Sequence, residues 1–466
     1  MEGRRTTMDD TRKQVIKKGI LTVVCILIAI YVIGIFVFYG RFYFRSYING
    51  VNYGGKTVKE VEMRIADDIS KYKLTLYERD GKKEEIKASD IGLIYVSDGK
   101  IQELKDQQSP FNWFFGSLKK DTQEMEATIT YNRDKLNKVI DELDALDEEK
   151  VVKPQNAYLK YENGSYKIQN AVQGNEVKEQ ELRELIIEAV ESGDTKLDLE
   201  EADCYKKPEY DETKKELGKA KDVMNQYVQT KITYDFSDRT EELDGDTIHE
   251  WLSIDENFNV VIDEQAEIEY IKTLEQKYNT LGKSRQFITN DGREITVPSG
   301  NYGYMISRSR EREQLDSDIR SGKTVKREPV YAYKGYIRDV DDIGDTYVEI
   351  DITKQKMWFY VNGKVYVETD VVTGNVSRGF DTPVGVYGIT YKERNATLVG
   401  ENYSSPVDYW MPFNGNIGIH DASWRTEFGG ELYKTSGSHG CVNTPPKNAK
   451  KIFEKLEKGM PVIVHE

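Results

Sequence analysis

The pattern of apolar and polar positions changes texture several times along the chain, and each texture predicts a different kind of element. Residues 20–39 carry no charge and are mostly Ile, Leu, Val, Phe and Ala. At a rise of ~1.5 Å per residue such a run spans ~30 Å, the thickness of a bilayer core, and reads as one membrane-crossing helix. Residues 46–121 mix two periods. Val58, Val61, Ile65 and Ile69 recur at helical spacing, and residues 73–77 alternate as a strand does.

A long internal repeat follows. Asn163-Gly164, Gly174-Asn175-Glu176-Val177 and Ser192-Gly193-Asp194-Thr195 are answered by Asp291-Gly292, Gly303-Tyr304-Met305-Ile306 and Ser321-Gly322-Lys323-Thr324. The offset is 129 residues for the second and third pairs and 128 for the first. A helical stripe of Leu182, Leu185, Ile186, Ala189 and Val190 precedes the last match, with Leu315 and Ile319 retained in the second copy. Upstream, residues 128–131 and 231–236 read as matching strands. Leu136, Val139, Ile140 and Leu143 form a stripe answered by Ile268, Ile271, Leu274 and Tyr278. So long a period, present only twice, predicts two related α+β modules rather than a solenoid. Leu217, Ala220, Met224, Tyr227 and Val228 predict a helix linking them.

Past a boundary near residues 334–344 the texture becomes all-β. Tyr347, Glu349 and Asp351 alternate with Val348, Ile350 and Ile352. Asn362-Gly363 is a hairpin turn signal, another strand is expected to end at Thr373-Gly374, and Thr382-Pro383-Val384-Gly385 reads as a turn before a strand at 386–389. At the end Thr444 is placed to cap a helix with Pro445 in its first position. Ala449, Ile452, Phe453 and Leu456 give that helix its apolar stripe, Gly459 is placed at its C-terminal cap, and residues 462–464 form a last strand. The predicted architecture is multidomain: a cytoplasmic N-terminus (1–19), a transmembrane signal anchor (20–39), α+β modules at 46–210 and 211–335, and a mainly-β, sandwich-like domain with a C-terminal helix (345–466).

Composition and charge refine this picture. A chain of 466 residues with 32% charged and 38% hydrophobic positions has the make-up of folded domains, two to four by length. A net charge of -15 argues against a nucleic-acid partner, which requires a basic face. Arg4, Arg5, Arg12, Lys13, Lys17 and Lys18 precede the apolar run and place the N-terminus in the cytoplasm. The run is long for a cleaved signal and no small-x-small site follows it, so an uncleaved anchor is the expectation. Tyr39, Phe42, Tyr43 and Phe44 are then expected at the outer membrane interface. Everything beyond would lie outside the cell membrane.

The candidate chemistry is concentrated near the C-terminus. The cysteines are Cys25, inside the apolar run; Cys204, with no companion motif; and Cys441. Two of the four histidines, His420 and His439, precede Cys441 by 21 and 2 positions. A thiol nucleophile needs a base, a group that orients the base, and donors for the oxyanion. His420 ends the apolar stretch 417–420, and Cys441 sits in a turn that Gly437 and Gly440 make possible, so a strand-borne imidazole can face a loop-borne thiol. An ion pair with histidine would lower the thiol below its free value of about 8.5. Two other readings stay open on chemistry alone: a structural cysteine, or a zinc site using His420, His439 and Cys441. His249 reads as a surface or packing residue, and the penultimate His465 as uninvolved.

The stretch Ile417-Gly418-Ile419-His420-Asp421-Ala422-Ser423-Trp424, followed by Gly437-Ser438-His439-Gly440-Cys441-Val442-Asn443-Thr444-Pro445, resembles the L,D-transpeptidase (YkuD) family. Its signature is a His, a spacer, Ser/Thr-His-Gly-Cys, and Asn or Arg two places beyond. Thr382-Pro383-Val384-Gly385 resembles the family's TPxG turn, and the upstream repeats resemble peptidoglycan-binding modules often fused to this domain. The resemblance implies a cofactor-free, metal-free exported enzyme acting on peptidoglycan stem peptides. The thiolate attacks the carbonyl of a stem's third residue, D-Ala leaves, and a neighbouring amine accepts the acyl group to make a 3→3 cross-link. It implies Cys441 as nucleophile, His420 as base, and the Asp421 carbonyl as the group fixing the base's tautomer. Backbone N–H groups of His439, Gly440 and Cys441 would form the oxyanion hole, with His439 the second choice of base. Ser438, Asn443 and Trp424 would line the site, and Tyr403, Trp410 and Met411 fall where the family places a lid. Asp421 stands where many members have Gly, and Asn443 where many have Arg. Water as acceptor would give an L,D-carboxypeptidase instead, and a wall-binding anchor without activity is a further alternative. A sortase would need an Arg after Cys441, and none follows. An NlpC-type peptidase would place Cys before His.

Overall fold

The computed structural model describes residues 3–400 and 403–466; the side chains of residues 3–9 and of Tyr403 lie outside that description. The chain forms two compact units, Met1–Ala157 with Asn170–Asp211, and Tyr158–Gln169 with Glu212–Glu466.

The first unit opens with α1 (Gly3–Phe38). Its portion Asp10–Phe38 is long and apolar enough to cross a membrane, a property that an anchor shares with a signal sequence. Of the aromatic residues expected at an interface, Tyr39 and Phe44 are exposed, but Phe42 and Tyr43 are buried. Phe42 packs with Ile48, Tyr53, Val61 and Ile101 in a small core, so the chain folds as soon as it leaves the helix. Then come α2 (Val58–Ser70), β1 (Lys73–Tyr77), β2 (Lys83–Lys87), α3 (Trp113–Leu118), α4 (Arg133–Asp141), α5 (Glu179–Ser192) and β3 (Lys196–Asp198). Thr57 and Glu60 close a capping box at the start of α2, which stabilises such a helix by about 1 kcal/mol. The sheet order is β3-β1-β2, with β1 antiparallel to β2 and parallel to β3. Leu74, Leu76 and Ile86 of this sheet pack on Leu182, Ile186 and Val190 of α5.

The second unit begins with the hairpin Tyr158–Gln169 and continues with α6 (Lys215–Val228), β4 (Lys231–Asp235), β5 (Thr240–Leu243), α7 (Glu264–Tyr278), α8 (Arg308–Ser321) and β6 (Thr324–Arg327). Its sheet, β5-β4-β6, has the same strand senses as β2-β1-β3. α5 and α8 each have 14 residues and end on a left-handed glycine, Gly193 or Gly322. Asn163-Gly164 and Asp291-Gly292 both occupy hairpin turns. One expectation changes. The counterpart of the strand at 231–236 is β1, not residues 128–131; an extra segment, 96–128, in the first stretch shifts the register. The helix expected between the modules is α6, whose Leu217, Ala220, Met224, Tyr227 and Val228 are all buried. Its Asn225 accepts the Tyr166 N–H at 2.7 Å, and Met224 and Val228 pack on Tyr166 of the hairpin.

The rest of the second unit is a two-sheet domain. β7 (Val348–Asp351), β8 (Lys356–Val361), β9 (Lys364–Asp370), β10 (Gly385–Gly388), β11 (Glu393–Gly400), β12 (Tyr403–Asn414), β13 (Ile417–Asp421), β14 (Val442–Thr444), α9 (Pro446–Lys455) and β15 (Pro461–His465) follow in order. The sheets run β9-β8-β7-β15-β10 and β11-β12-β13-β14. Asn362 and Gly363 both take positive φ, 49° and 72°, as a two-residue hairpin with right-handed strand twist requires. Val348, Ile350, Met357 and Phe359 of one sheet meet Met411, Phe413, Ile419 and Val442 of the other, with Ile452 and Phe453 of α9. Three local expectations are corrected. Val372 and Gly374 make only isolated bridges, to Asn443 and Ser438, and β9 ends at Asp370. Pro445 caps α9 and Pro446 is its first residue, because Thr444 is tied into β14 beside Asp421. Leu456, not Gly459, is the C-cap; Gly459 donates its N–H to the Ile389 carbonyl in the next turn.

β7 is buried on both faces. Its polar face is covered by the antiparallel hairpin Arg285–Ile288/Glu294–Val297. The Asn290 N–H donates to Glu349 at 2.8 Å, and Arg293 pairs with Asp351 at 3.2 Å. Phe287 and Val297 pack on Val386 and Ile463.

Candidate active site

The candidate residues sit where β12, β13 and β14 run side by side. Trp410 is in register with His420, Met411 with Ile419, Ile419 with Val442, and His420 with Asn443. Side chains alternate along a strand and register partners share a face. One face therefore carries Ile419, Val442 and Met411, which go to the core. The other carries His420, Asn443, Trp410 and, one step before β14, Cys441. Met411 is fully buried in the inter-sheet core, so it is no part of a lid. Tyr403 starts β12, and its side chain lies outside the described residues.

His420 is 3% exposed. Its Nδ1 lies 2.8 Å from the Asp421 carbonyl, and a carbonyl only accepts, so Nδ1 carries the proton and Nε2 keeps its lone pair. Burial pulls the imidazole below its ordinary value against the opposing effect of that carbonyl, so the ring rests neutral. The Asp421 carboxylate accepts the Tyr409 N–H at 2.7 Å, which ties β13 to β12. Trp410 stands 6.0 Å from His420, ring to ring, and donates its indole N–H to Tyr391 at 3.2 Å. Trp424 stands 5.9 Å from His420 on the other side and is half exposed.

Cys441 is 7% exposed and packs with Ala396, Val407 and Trp410 under the β11–β12 hairpin. Its thiol donates to the Asn416 carbonyl at 3.4 Å. Burial pushes it up to about 11, with only a Gly418 backbone hydrogen bond opposing. The imidazole, pushed toward its neutral form, adds no charge that would oppose this rise. Gly418 must be glycine, because a Cβ there would meet Trp410 at 2.7 Å and the Pro412 backbone at 2.6 Å.

The turn before Cys441 is held from several sides. The Ser438 N–H donates to the Thr373 carbonyl, and its hydroxyl accepts the Gly440 N–H at 3.0 Å and donates to the Cys441 carbonyl. Ser438 therefore shapes the turn, and the Gly440 N–H expected in an oxyanion hole is already engaged. Gly440 has φ +113°, a conformation suited to glycine. Gly437 is extended at φ -69°; a Cβ there would meet the Asn375 backbone at 2.5 Å. Asn443 is buried, two places beyond Cys441 on the same face. His439 is exposed and lies 4.7 Å from the Phe380 ring. His420, His439 and Cys441 do not converge as a zinc set. Among the described residues no group of three or more His, Cys, Asp or Glu side chains could hold a metal ion.

Two contributors were not singled out from the sequence. Thr382 donates to the Gly440 carbonyl at 2.7 Å and accepts the Gly374 N–H at 3.0 Å, stapling the catalytic turn from below. Its TPxG context was the available signal, read only as a turn. Arg425 donates to the Ser436 carbonyl at 2.6 Å and leaves Nε buried without a partner; burial lowers its guanidinium. No local pattern marks it. Elsewhere, His465 bridges Glu349 at 3.0 Å, His249 stacks on Tyr161 at 3.9 Å, and Cys204 is a buried thiol pushed up to about 11 by desolvation.

Residues 345–464 match the family described as the L,D-transpeptidase catalytic domain (YkuD), and residues 84–198 and 210–326 each match "Putative peptidoglycan binding domain". The crystal structure of an Enterococcus faecium L,D-transpeptidase cysteine-to-serine mutant is 40% identical, covering 52% of this chain and 98% of that one, with a TM-score of 0.45. The chain belongs to the L,D-transpeptidase family. The Ldtfm–avibactam carbamoyl enzyme is 39% identical over 54% of this L,D-transpeptidase and 99% of its own chain, with a TM-score of 0.46. The E. faecium catalytic domain acylated by ertapenem, solved by NMR, is 50% identical over 26% of this chain and 98% of its own, with a TM-score of 0.25. No curated protein matches. The transpeptidase is thus a family catalytic domain preceded by two peptidoglycan-binding domains, and peptidoglycan is its substrate class.

Proposed function

We propose that this L,D-transpeptidase forms 3→3 cross-links through a Cys441 thioester. His420 Nε2 takes the thiol proton as sulfur attacks the carbonyl of the third stem residue. The backbone N–H of Cys441, with that of His439, faces the developing oxyanion. His420 then returns the proton to the departing D-Ala amine, and the thioester remains. The acceptor amine attacks the thioester, gives its proton to His420, and the thiol is regenerated. Proton transfer concerted with attack suits a site in which both partners rest neutral. The observation that carries this reading is the shared face of β13 and β14, with His420 Nδ1 fixed by the Asp421 carbonyl and Nε2 left basic.

The part of the β11–β12 hairpin beyond Trp410, with Ala396 and Val407 over Cys441, acts as the lid and lifts to admit a stem. Trp410 and Trp424 flank the imidazole and Asn443 lies beside it. α1 anchors the enzyme with its N-terminus in the cytoplasm, and the two upstream stretches are repeat modules that grip the wall. Incubation with disaccharide-tetrapeptides and mass spectrometry tests the reaction: 3→3 dimers and D-Ala are expected, and both vanish in Cys441→Ala. D-Ala without dimers would mean a carboxypeptidase; no D-Ala would sink the assignment of the thiol.

A further inference from the structure

Residues 96–128 separate the short strands Ile94–Tyr95 and Ile129–Thr130, whereas only 255–259 separate the corresponding strands Leu252–Ile254 and Val260–Ile262 of the second unit. The extra segment holds α3 and a cluster of exposed apolar side chains: Phe111 (68%), Phe114 (49%), Phe115 (71%) and Leu118 (62%). A water-facing insertion has no reason to carry four such residues together.

The same segment is fastened to α1. Trp113 donates its indole N–H to the Tyr31 carbonyl at 3.0 Å, and the Tyr31 hydroxyl donates to the Phe111 carbonyl at 2.7 Å. Trp113 stacks on Phe38 at 5.4 Å and lies so close over Gly34 that a Cβ there would meet it at 2.1 Å. Tyr31, Gly34 and Phe38 belong to the last turns of the apolar run. At ~1.5 Å per residue they occupy its outer ~12 Å. Basic residues lie beside the cluster: the Arg45 guanidinium donates to the Leu118 carbonyl at 2.9 Å, and Lys119 and Lys120, next in the chain, are exposed.

We propose that residues 110–118 are a second membrane contact, an interfacial segment seated in the outer leaflet against α1. Its aromatic side chains enter the acyl-chain boundary, and Arg45, Lys119 and Lys120 lie at the headgroups, where cations meet lipid phosphate. Continuity with the apolar face of α1 names the bilayer as occupant, and the proposal rests on α1 being a membrane anchor. The first unit is then fixed against the membrane instead of swinging on a single helix.

The test uses the full chain reconstituted in phosphatidylcholine–phosphatidylglycerol vesicles containing lipids brominated at defined depths. Tryptophan emission of the parent is compared with that of Trp113→Phe and Phe115→Trp. Loss of the shallow-quenched component in Trp113→Phe, and a new quenched component in Phe115→Trp, are expected. Equal quenching of parent and Trp113→Phe, together with an added but unquenched emission in Phe115→Trp, overturns the proposal while leaving the anchor intact. Alkaline extraction of the same vesicles separates the two ideas: release of the parent chain sinks the anchor and the interfacial segment together.

Discussion

The proposed attack by Cys441 would begin from a thiol that burial pushes up to about 11 and an imidazole that burial pulls below its ordinary value. Below the lowered value of His420 the ring is protonated and cannot accept the thiol proton; above it, the base is ready. On the proposed mechanism, acylation of Cys441 by ertapenem, which acylates the E. faecium catalytic domain, is expected to rise with pH to a plateau whose acid midpoint lies below about 6.5, the free histidine value. His420→Ala should lower that rate by about 10²–10⁴. Its residual rate should climb steeply in alkali, where the thiol ionises unaided. Stopped-flow absorbance across pH measures both; an acid limb centred near a free thiol value would sink the neutral-pair mechanism. At this scale the sequence was partly legible. His420 and Cys441 are marked by their motif. Trp410 and Met411 are adjacent in the chain, yet only the strand register tells which of them meets the imidazole. Motif spacing carries no information about burial, which pushes the Cys441 thiol upward where an ion pair would lower it.

Among the elements, α7 holds an ionisable group at odds with its surroundings. Glu267 is fully buried, Oε1 has no partner, and Oε2 is 3.5 Å from Arg312 of α8. Burial, helped by Asp316 and opposed by Arg312, pushes its carboxyl up to about 7. As pH rises past the unfolded value of 4.5, the unfolded chain ionises while the folded one keeps its proton, so stability falls until about 7. Glu267→Gln should raise stability at pH 8 by up to about 3 kcal/mol, the gain shrinking toward pH 4. Urea unfolding at both pH values checks it, and a pH-independent gain would rule it out. The repeat was legible at this scale because turn glycines and helix stripes keep a fixed offset from α5 to α8. It failed upstream, where the extra segment 96–128 breaks that offset and no local pattern announces an insertion.

Across the second unit, the hairpin 285–297 lies on the polar face of β7 and buries Glu349 and Asp351. A chain reduced to residues 345–466 would expose those carboxylates and the apolar surface of Val386 and Ile463. It should melt several degrees lower than residues 212–466 by calorimetry, about the shift expected for a few kcal/mol in a domain of that size. Identical melting would mean that the hairpin rests on the domain without supporting it. Alternation along β7 predicted one polar face correctly but could not tell whether water or another segment covers it. The strand order carries a consequence for timing. β15, residues 461–465, lies between β7 and the edge strand β10, fourth of five strands in its sheet. A ribosome that has passed Cys441 by nearly twenty residues has still not supplied the strand that holds β10 to the rest of that sheet. The thiol therefore becomes part of a formed site only when synthesis of its domain is all but finished.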